Sequence, residues 1–348
     1  MSETLKTLFR QFVGRDVESV RPLTPAGSNR RYYRLQAGDV SLVGVVGTSK
    51  EENEAFLMIA NQLHRSGVRV PVVRMVSDDR HCYLQDDLGD LSLFDLLQQD
   101  GTDALEVQSL LEETLRQLPV IQFKGAQGLD FSKCYPSSSM DKRGILWDLN
   151  YFKYCYLKAT GIDFLESSLE DDFERFADVL LSEPFDTFMY RDFQSRNVMV
   201  YDGKPWFIDF QGGRKGPIHY DVASFLWQAR AGFSDEERSR LIDVYLEALQ
   251  PFRSVEKDVF LQRLRYFVLF RLLQVLGAYG FRGYFERKGH FLQSIPQAIN
   301  SLRNELRNNF PEIPYLIEVL QKIVSLPQQV IPLETDGLTV EINSFSYR

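Results

Sequence analysis

An α+β fold in two unequal lobes is the architecture this sequence predicts: a small N-terminal lobe built on a sheet, then a larger, mainly helical C-terminal lobe. Three observations carry that expectation. Short alternating or apolar runs bounded by turn residues crowd residues 1–88. Helical periods then follow one another from 89 to 325. An Asp-Gly hairpin with polar ends, around 188–209, interrupts that helical run.

In the first lobe, residues 3–13 form an amphipathic helix pattern, 19–22 an extended run, and Ala26-Gly27-Ser28 a turn. Strands at 31–36 and 41–46 follow. A helix over 51–66 places Phe56, Ile59, Ala60 and Leu63 on one face; Gly67 ends it and Pro71 begins another extended run. The last strand is 81–85, and its exit at 86–89 is a hinge between the lobes.

In the second lobe, helical periods occupy 91–99, 104–118, 145–158, 169–182, 221–231, 234–248, 255–279 and 295–310. The Leu and Phe stripe of 263–279 is expected in the lobe core, and its arginines on a solvated face. Between these helices, the apolar run Phe188-Met189-Tyr190 leads to Arg191-Asp192-Phe193-Gln194-Ser195-Arg196-Asn197. Strand 198–201, the Asp202-Gly203 turn and return strand 206–208 then bring Asp209 back beside Asn197.

That spacing has a chemical use. An Asp and an Asn five residues apart, with a second Asp closing a hairpin, is where phosphate-transferring kinases keep a base and two magnesium ligands. Asn197 and Asp209 are the candidate metal ligands, and Asp192 the candidate base that orients a substrate hydroxyl and takes its proton. A lone D-x-x-x-x-N is a weak signal; the hairpin that returns an Asp to it is far more restrictive.

The residues from Met189 to Trp227 resemble the aminoglycoside phosphotransferase family, and within it the bacterial anomeric kinases of N-acetylmuramate and N-acetylglucosamine. The closer resemblance is carried by 190–197, by Ile208-Asp209-Phe210-Gln211, and by Gly216-Pro217-Ile218-His219-Tyr220-Asp221-Val222-Ala223-Ser224. It extends upstream through 27–34 and the turn 86–90, and so covers most of 1–325. It implies a two-lobed protein-kinase-like fold, ATP and Mg2+ as cofactors, and a small-molecule sugar as acceptor. Gln211 stands where protein kinases carry Gly. By the same resemblance, Asp221 braces the loop through a residue such as Arg191; an acid at the start of a helix is also a simple cap, and the two are compatible.

For the nucleotide, the resemblance lays the turn at Ser28 over the phosphates and the backbone of Gln85 and Asp87 against the adenine. Arg30 and Arg34 share one strand face and Arg31 the other, so one face reaches phosphate and the other solvent, without the sequence saying which. Kinases carry a Lys on the third strand, paired with a helix Glu. Residues 41–47 contain none, although Glu54 is present. Arg31, Arg34 or Lys50 replaces its charge, or nucleotide binding is weakened. Asp148, Tyr151, Arg196 and Gln211 are candidate acceptor contacts; Trp147 and Tyr151 read equally well as a core pair.

Composition fits this picture. The 348 residues are 44% hydrophobic and 13% aromatic, enough for two cores. A net charge of −8 argues against direct nucleic-acid binding. Cys82, Cys134 and Cys155 make no close pair, and the four histidines have no metal-ligand spacing, His219 reading as a packing residue. The apolar stretch 266–281 is interrupted by Arg271 and Gln274, so no membrane span is expected, and residues 1–10 lack a signal-peptide core. A cytoplasmic location follows.

The expected activity is ATP-dependent phosphorylation of the anomeric hydroxyl of an N-acetylated amino sugar in cell-wall sugar recycling. Aminoglycoside, choline or homoserine kinases are the alternatives within the family, and a nucleotide- or sugar-sensing module the alternative outside catalysis. Residues 326–348 read as a linker and an alternating strand, 338–348, resembling the opening of the C-terminal domain of the RapZ family. The chain is therefore expected to be the first portion of a longer protein with a covalently linked C-terminal domain; a tail docking as an edge strand is the alternative.

Overall fold

A five-stranded antiparallel sheet in the order β1-β2-β3-β5-β4 forms the first lobe of the computed structural model, which describes residues 3–23, 30–228 and 230–326. The turn carrying Ser28 and the strand expected at 338–348 lie outside the described residues. Helix α1 (Glu3–Val13) precedes β1 (Ser19–Leu23), β2 (Arg31–Ala37) and β3 (Val40–Val46); α2 (Lys50–Arg65), β4 (Val73–Val76) and β5 (Cys82–Asp86) complete the lobe.

Strand alternation sorts the sheet's side chains onto two faces. One face packs Leu35, Leu42 and Leu84 against Leu5, Leu8 and Phe9 of α1. The other turns Val43, Val45 and Tyr83 toward α2 and the second lobe. Ser49 caps α2 by accepting from the Glu52 N–H at 3.2 Å.

The second lobe carries α3 (Leu93–Asp100), α4 (Leu105–Pro119), α5 (Lys142–Phe152), α6 (Glu166–Leu181), β6 (Thr187–Met189), the hairpin β7 (Val198–Tyr201) and β8 (Lys204–Phe207), β9 (Arg214–Gly216), and α7 (His219–Leu226). Four further helices follow: α8 (Asp235–Leu249), α9 (Lys257–Gly280), α10 (Gly289–Glu305) and α11 (Pro314–Ser325). A capping box between Ser234 and Glu237 starts α8. Helix α9 is the hub, since α5, α7 and α10 all pack on it.

Sequence periodicity located most helices to within a few residues, with instructive exceptions. The helix expected at 221–231 begins at His219 and stops at Leu226, which puts Asp221 inside its first turn rather than at the cap. The helix expected at 145–158 is an α-helix only to Phe152, and a wider π turn continues it to Leu157. Helix α11 was not foreseen. In the hairpin, Asp202 and Gly203 both adopt positive φ, 50° and 66°, the backbone that an Asp-Gly two-residue turn supplies.

Aromatic rings join the two lobes. Phe56 of α2 stacks on Tyr83 and on Phe210 with ring centroids 5.0 Å apart in each case. Phe210 meets Tyr190 edge-on at 6.1 Å, and Tyr190 meets Phe193 at 5.3 Å. The hairpin is also tied to the chain after α2, where the Phe207 N–H donates to the Arg69 carbonyl at 2.8 Å and Arg69 Nε to the Pro205 carbonyl at 2.9 Å. Phe56→Ala is expected to lower the stability of the folded chain by about 3–5 kcal/mol, read from the urea unfolding midpoint, because the residue is 4% exposed and its ring fills the space between Tyr83 and Phe210.

Candidate active site

The loop Tyr190–Asn197 is shaped by one buried carboxylate. Asp221, fully buried on α7, accepts the Tyr190 N–H at 2.8 Å and the Arg191 N–H at 2.9 Å. Those two bonds hold Arg191 at φ 77°, a conformation that an L residue adopts only where its surroundings enforce it. The expected link between Asp221 and Arg191 is thus made by the backbone, and the Arg191 side chain is free to pair with Asp148 at 3.5 Å. Burial raises the Asp221 carboxyl to about 7 against the pull of the two N–H groups.

Asp192, Asn197 and Asp209 are brought to one place. The Asn197 side-chain amide donates to the Asp192 carbonyl at 2.8 Å, which leaves its oxygen as the atom for a cation. The Ile208 N–H donates to the Asn197 carbonyl at 3.0 Å, so the residue before Asp209 is fixed directly to Asn197. Asp209 itself has φ 67° and accepts from Gln211 Nε2 at 2.8 Å. Burial raises its carboxyl, the nearby charge of Asp192 adds to the rise, and Gln211, Arg196 and Arg30 oppose it.

These donors suit Mg2+. Two hard oxygen groups, an amide and a carboxylate held side by side, match a metal that completes its shell with phosphate oxygens and water. Among the described residues no cluster of three or more His, Cys, Asp or Glu could hold a metal by itself. A carboxylate whose pKa is raised by burial and a like charge is also one that gains from a divalent cation.

On the acceptor side, Asp148 of α5 accepts from Gln274 Nε2 at 2.6 Å, and the Tyr220 hydroxyl donates to Gln274 Oε1 at 2.8 Å. Tyr151 lies against Phe281 with centroids 5.9 Å apart, and burial pushes its hydroxyl up to about 12. Trp147 is 65% exposed, so it does not form a core pair with Tyr151. Arg196 is exposed.

Several expectations need correction. Arg34 does not reach toward phosphate. Its guanidinium is enclosed by Asp87, at 2.6 and 2.7 Å, by Asp90 at 2.8 Å and by the Gly89 carbonyl at 3.0 Å, and so it clamps the hinge shut. The Asp87 side chain is correspondingly committed to Arg34, Ser41 and the Gly89 N–H. Arg31 is exposed and, by alternation, shares the strand face of Tyr33 and Leu35, which packs toward α1 and away from the cleft. Gln85 lies opposite both Val43 and Val73, and the next residue, Asp86, still pairs with Leu42 and donates its N–H to the Val72 carbonyl at 3.1 Å, so the main chain is engaged in the sheet through Asp86.

Two residues of α9 were missed. Arg271 is not on a solvated face: its side chain is 13% exposed and Nη2 lies 3.5 Å from Asp192 Oδ1. Gln274, one turn on, holds Asp148. The signal was present, since these are the polar residues that interrupt an otherwise apolar helical run. Arg214, held by Ser137 Oγ at 2.6 Å, was likewise missed; burial, with the Arg191 charge, lowers it to about 10. His219 is a packing residue, stacked between Phe260 and Phe267 at 4.7 and 5.2 Å.

Comparison with known proteins decides the family. The phosphotransferase enzyme family matches residues 19–255. The chain belongs to that family. Among curated proteins it is similar to the N-acetylmuramate/N-acetylglucosamine kinase of Pseudomonas aeruginosa, 27% identical over 88% of this chain and 89% of that one. The protein of the same description from Neisseria meningitidis is 26% identical over 85% and 87%. Among solved structures, a choline kinase from Cryptosporidium parvum superposes with a TM-score of 0.59 at 14% identity, covering 92% of this chain and 99% of that one. A spectinomycin phosphotransferase in complex with ADP and spectinomycin gives 0.55 at 13% identity, covering 92% and 98%. These likenesses support the two-lobed phosphotransferase fold. Among the described residues no helix is long and apolar enough to cross a membrane.

Two outcomes test the framework of the site. The native state favours protonated Asp221, so its contribution to stability is complete below the unfolded carboxyl value near 3.8 and is lost as pH rises through about 7. Asp221→Asn should remove that decline from urea unfolding midpoints between about pH 4 and 7, while orphaning a loop N–H at a cost of about 1–3 kcal/mol. Arg34→Ala should destabilise by about 3–5 kcal/mol, because it leaves the buried Asp87 unpaired. The ratio of ADP to adenosine affinity, measured by calorimetry, should not change in that variant.

Proposed function

We propose that this protein transfers the γ-phosphoryl group of ATP to the anomeric hydroxyl of an N-acetylated amino sugar, with N-acetylmuramate and N-acetylglucosamine as acceptors, in cell-wall sugar recycling in the cytoplasm. The observation that carries this reading is the convergence of Asp192, Asn197 and Asp209 on a loop braced by Asp221. The two similar curated kinases named for these sugars support the choice of acceptor. In the same reading, residues 1–88 cover the nucleotide and 89–325 carry the catalytic and acceptor sites.

Asp192 is the group that orients the sugar hydroxyl and accepts its proton. A carboxylate suffices because an anomeric hydroxyl is more acidic than an ordinary alcohol. Arg271, 3.5 Å from the Asp192 carboxylate, holds that carboxylate in position. Asn197 and Asp209 hold Mg2+, which when bound neutralises charge on the phosphates. Asp148 faces the sugar hydroxyls, its geometry set by Arg191 and Gln274. Tyr151 and Arg196 flank the acceptor, and Gln211 fixes the Asp209 carboxylate.

Turnover of ATP measured against amino sugars, aminoglycosides and choline tests the proposal. Activity is expected with the N-acetylated sugars, and Asp192→Asn should lower kcat by about 10²- to 10⁴-fold while ADP affinity holds. Undiminished turnover in that variant would remove Asp192 as the base, and activity confined to choline or an aminoglycoside would overturn the acceptor.

A further inference from the structure

Two exposed arginines, Arg196 and Arg230, stand beside the catalytic loop, and among the described residues neither pairs with a carboxylate. The loop and the turn after α7 hold them near each other. The Ser195 N–H and hydroxyl both donate to Gln228 Oε1, at 3.0 and 2.8 Å, so the residue before Arg196 is fastened two positions short of Arg230. The Arg230 carbonyl accepts from Gln98 Nε2 of α3 at 3.1 Å, and its guanidinium carbon lies 5.4 Å from the centroid of Phe94 on the same helix.

Helix α9 adds a third cation and a ring. Arg271 reaches Asp192 at 3.5 Å, and Tyr279, about two turns further along, lies against Phe291 with centroids 5.8 Å apart. Burial raises the Tyr279 hydroxyl, and the charges of Arg271, Arg196 and Arg230 all oppose that rise, which groups the three guanidinium groups around one phenol. The Arg196 charge acts on Asp209 as well. With Arg271 committed to Asp192, Arg196 and Arg230 are left as like charges in one neighbourhood, an arrangement that gains from an anion. The elements that supply and support them, the loop, the turn after α7, α3 and α9, all belong to the second lobe. That lobe carries the acceptor, so the anion belongs to the acceptor rather than to the nucleotide.

We propose that Arg196 and Arg230 bind the lactyl carboxylate of N-acetylmuramate and so favour the anionic sugar over neutral N-acetylglucosamine. The inference rests on the phosphotransfer reading above. The two sugars differ only in the lactyl ether on O3, whose carboxylate stands across the ring from the anomeric hydroxyl. With that hydroxyl at Asp192, the carboxylate is carried past the base toward the arginine four residues along the loop and its neighbour on the turn. A guanidinium meets a carboxylate through two parallel N–H bonds, a geometry that a neutral hydroxyl at the same position does not satisfy. Arg230 is therefore a specificity residue and takes no part in the transfer itself.

Steady-state kinetics of the full chain with ATP and Mg2+, on N-acetylmuramate, its methyl ester and N-acetylglucosamine, read the contact directly. Arg230→Gln should lower kcat/KM for N-acetylmuramate by roughly 10- to 100-fold, through KM, and leave N-acetylglucosamine within about threefold. Arg196→Gln should lower the ratio of the two efficiencies in the same direction. The methyl ester keeps the bulk of the lactyl group without its charge, so it should be a poorer acceptor than the acid for the wild type and lose nothing further in Arg230→Gln. Turnover of N-acetylglucosamine by each variant reports that it is folded. Equal losses on both sugars, no loss on either, or an ester as good as the acid would overturn the assignment of the arginines alone. A wild-type chain that phosphorylates neither sugar would overturn the acceptor reading and this assignment with it.

Discussion

One buried carboxylate sets the geometry on which the rest of the cleft depends. Asp221 takes both N–H groups at the start of the loop, and with Arg191 forced to positive φ the chain must turn there. Asp192 and Asn197 are carried to the cleft by that turn. A buried acid is costly when ionised, and two backbone donors are costly when orphaned, so each group makes the other tolerable. The arrangement explains why an acid in the first turn of α7 matters more for the loop than for the helix it belongs to.

The cleft divides its charges by role. Carboxylates and an amide face one another at Asp192, Asn197 and Asp209, where like charge and burial together favour a cation. Two arginines from separate elements lie near Asp192, Arg191 on the loop and Arg271 on α9, while Arg214 on β9 bonds Ser137. Arg34, by contrast, closes a neutralised cluster with Asp87 and Asp90 at the hinge, where it fixes the angle of chain exit from β5. The aromatic contact of Phe56 with Phe210 then makes the position of α2 and that of Asp209 a single packing problem.

The hairpin, its Asp-Gly turn and the return of Asp209 to Asn197 were legible because every step is local: a two-residue turn fixes the register, and register fixes which ends meet. The alternation of Arg30, Arg31 and Arg34 was legible for the same reason, though its direction was not. Which strand face looks into the cleft depends on where α1 packs, and α1 reaches the sheet only in three dimensions. Arg271 and Gln274 were misread because periodicity treats a polar residue in an apolar helix as an interruption, and only the crossing of α9 behind the loop shows what it meets.

By itself, then, the sequence determined the family resemblance, the sheet-then-helix order of the lobes, and the trio Asp192, Asn197 and Asp209, since each is written in spacings of a few residues. Tertiary structure alone decided the fate of the charges: Arg34 at the hinge, Arg271 beside Asp192, Arg30 buried beside Glu52. The reason is that a charged side chain acquires its role from partners distant in sequence. Arg34 lies 53 residues from Asp87, and Arg271 lies 79 from Asp192. No local pattern encodes such a pairing, because it exists only once packing has removed the water between the groups.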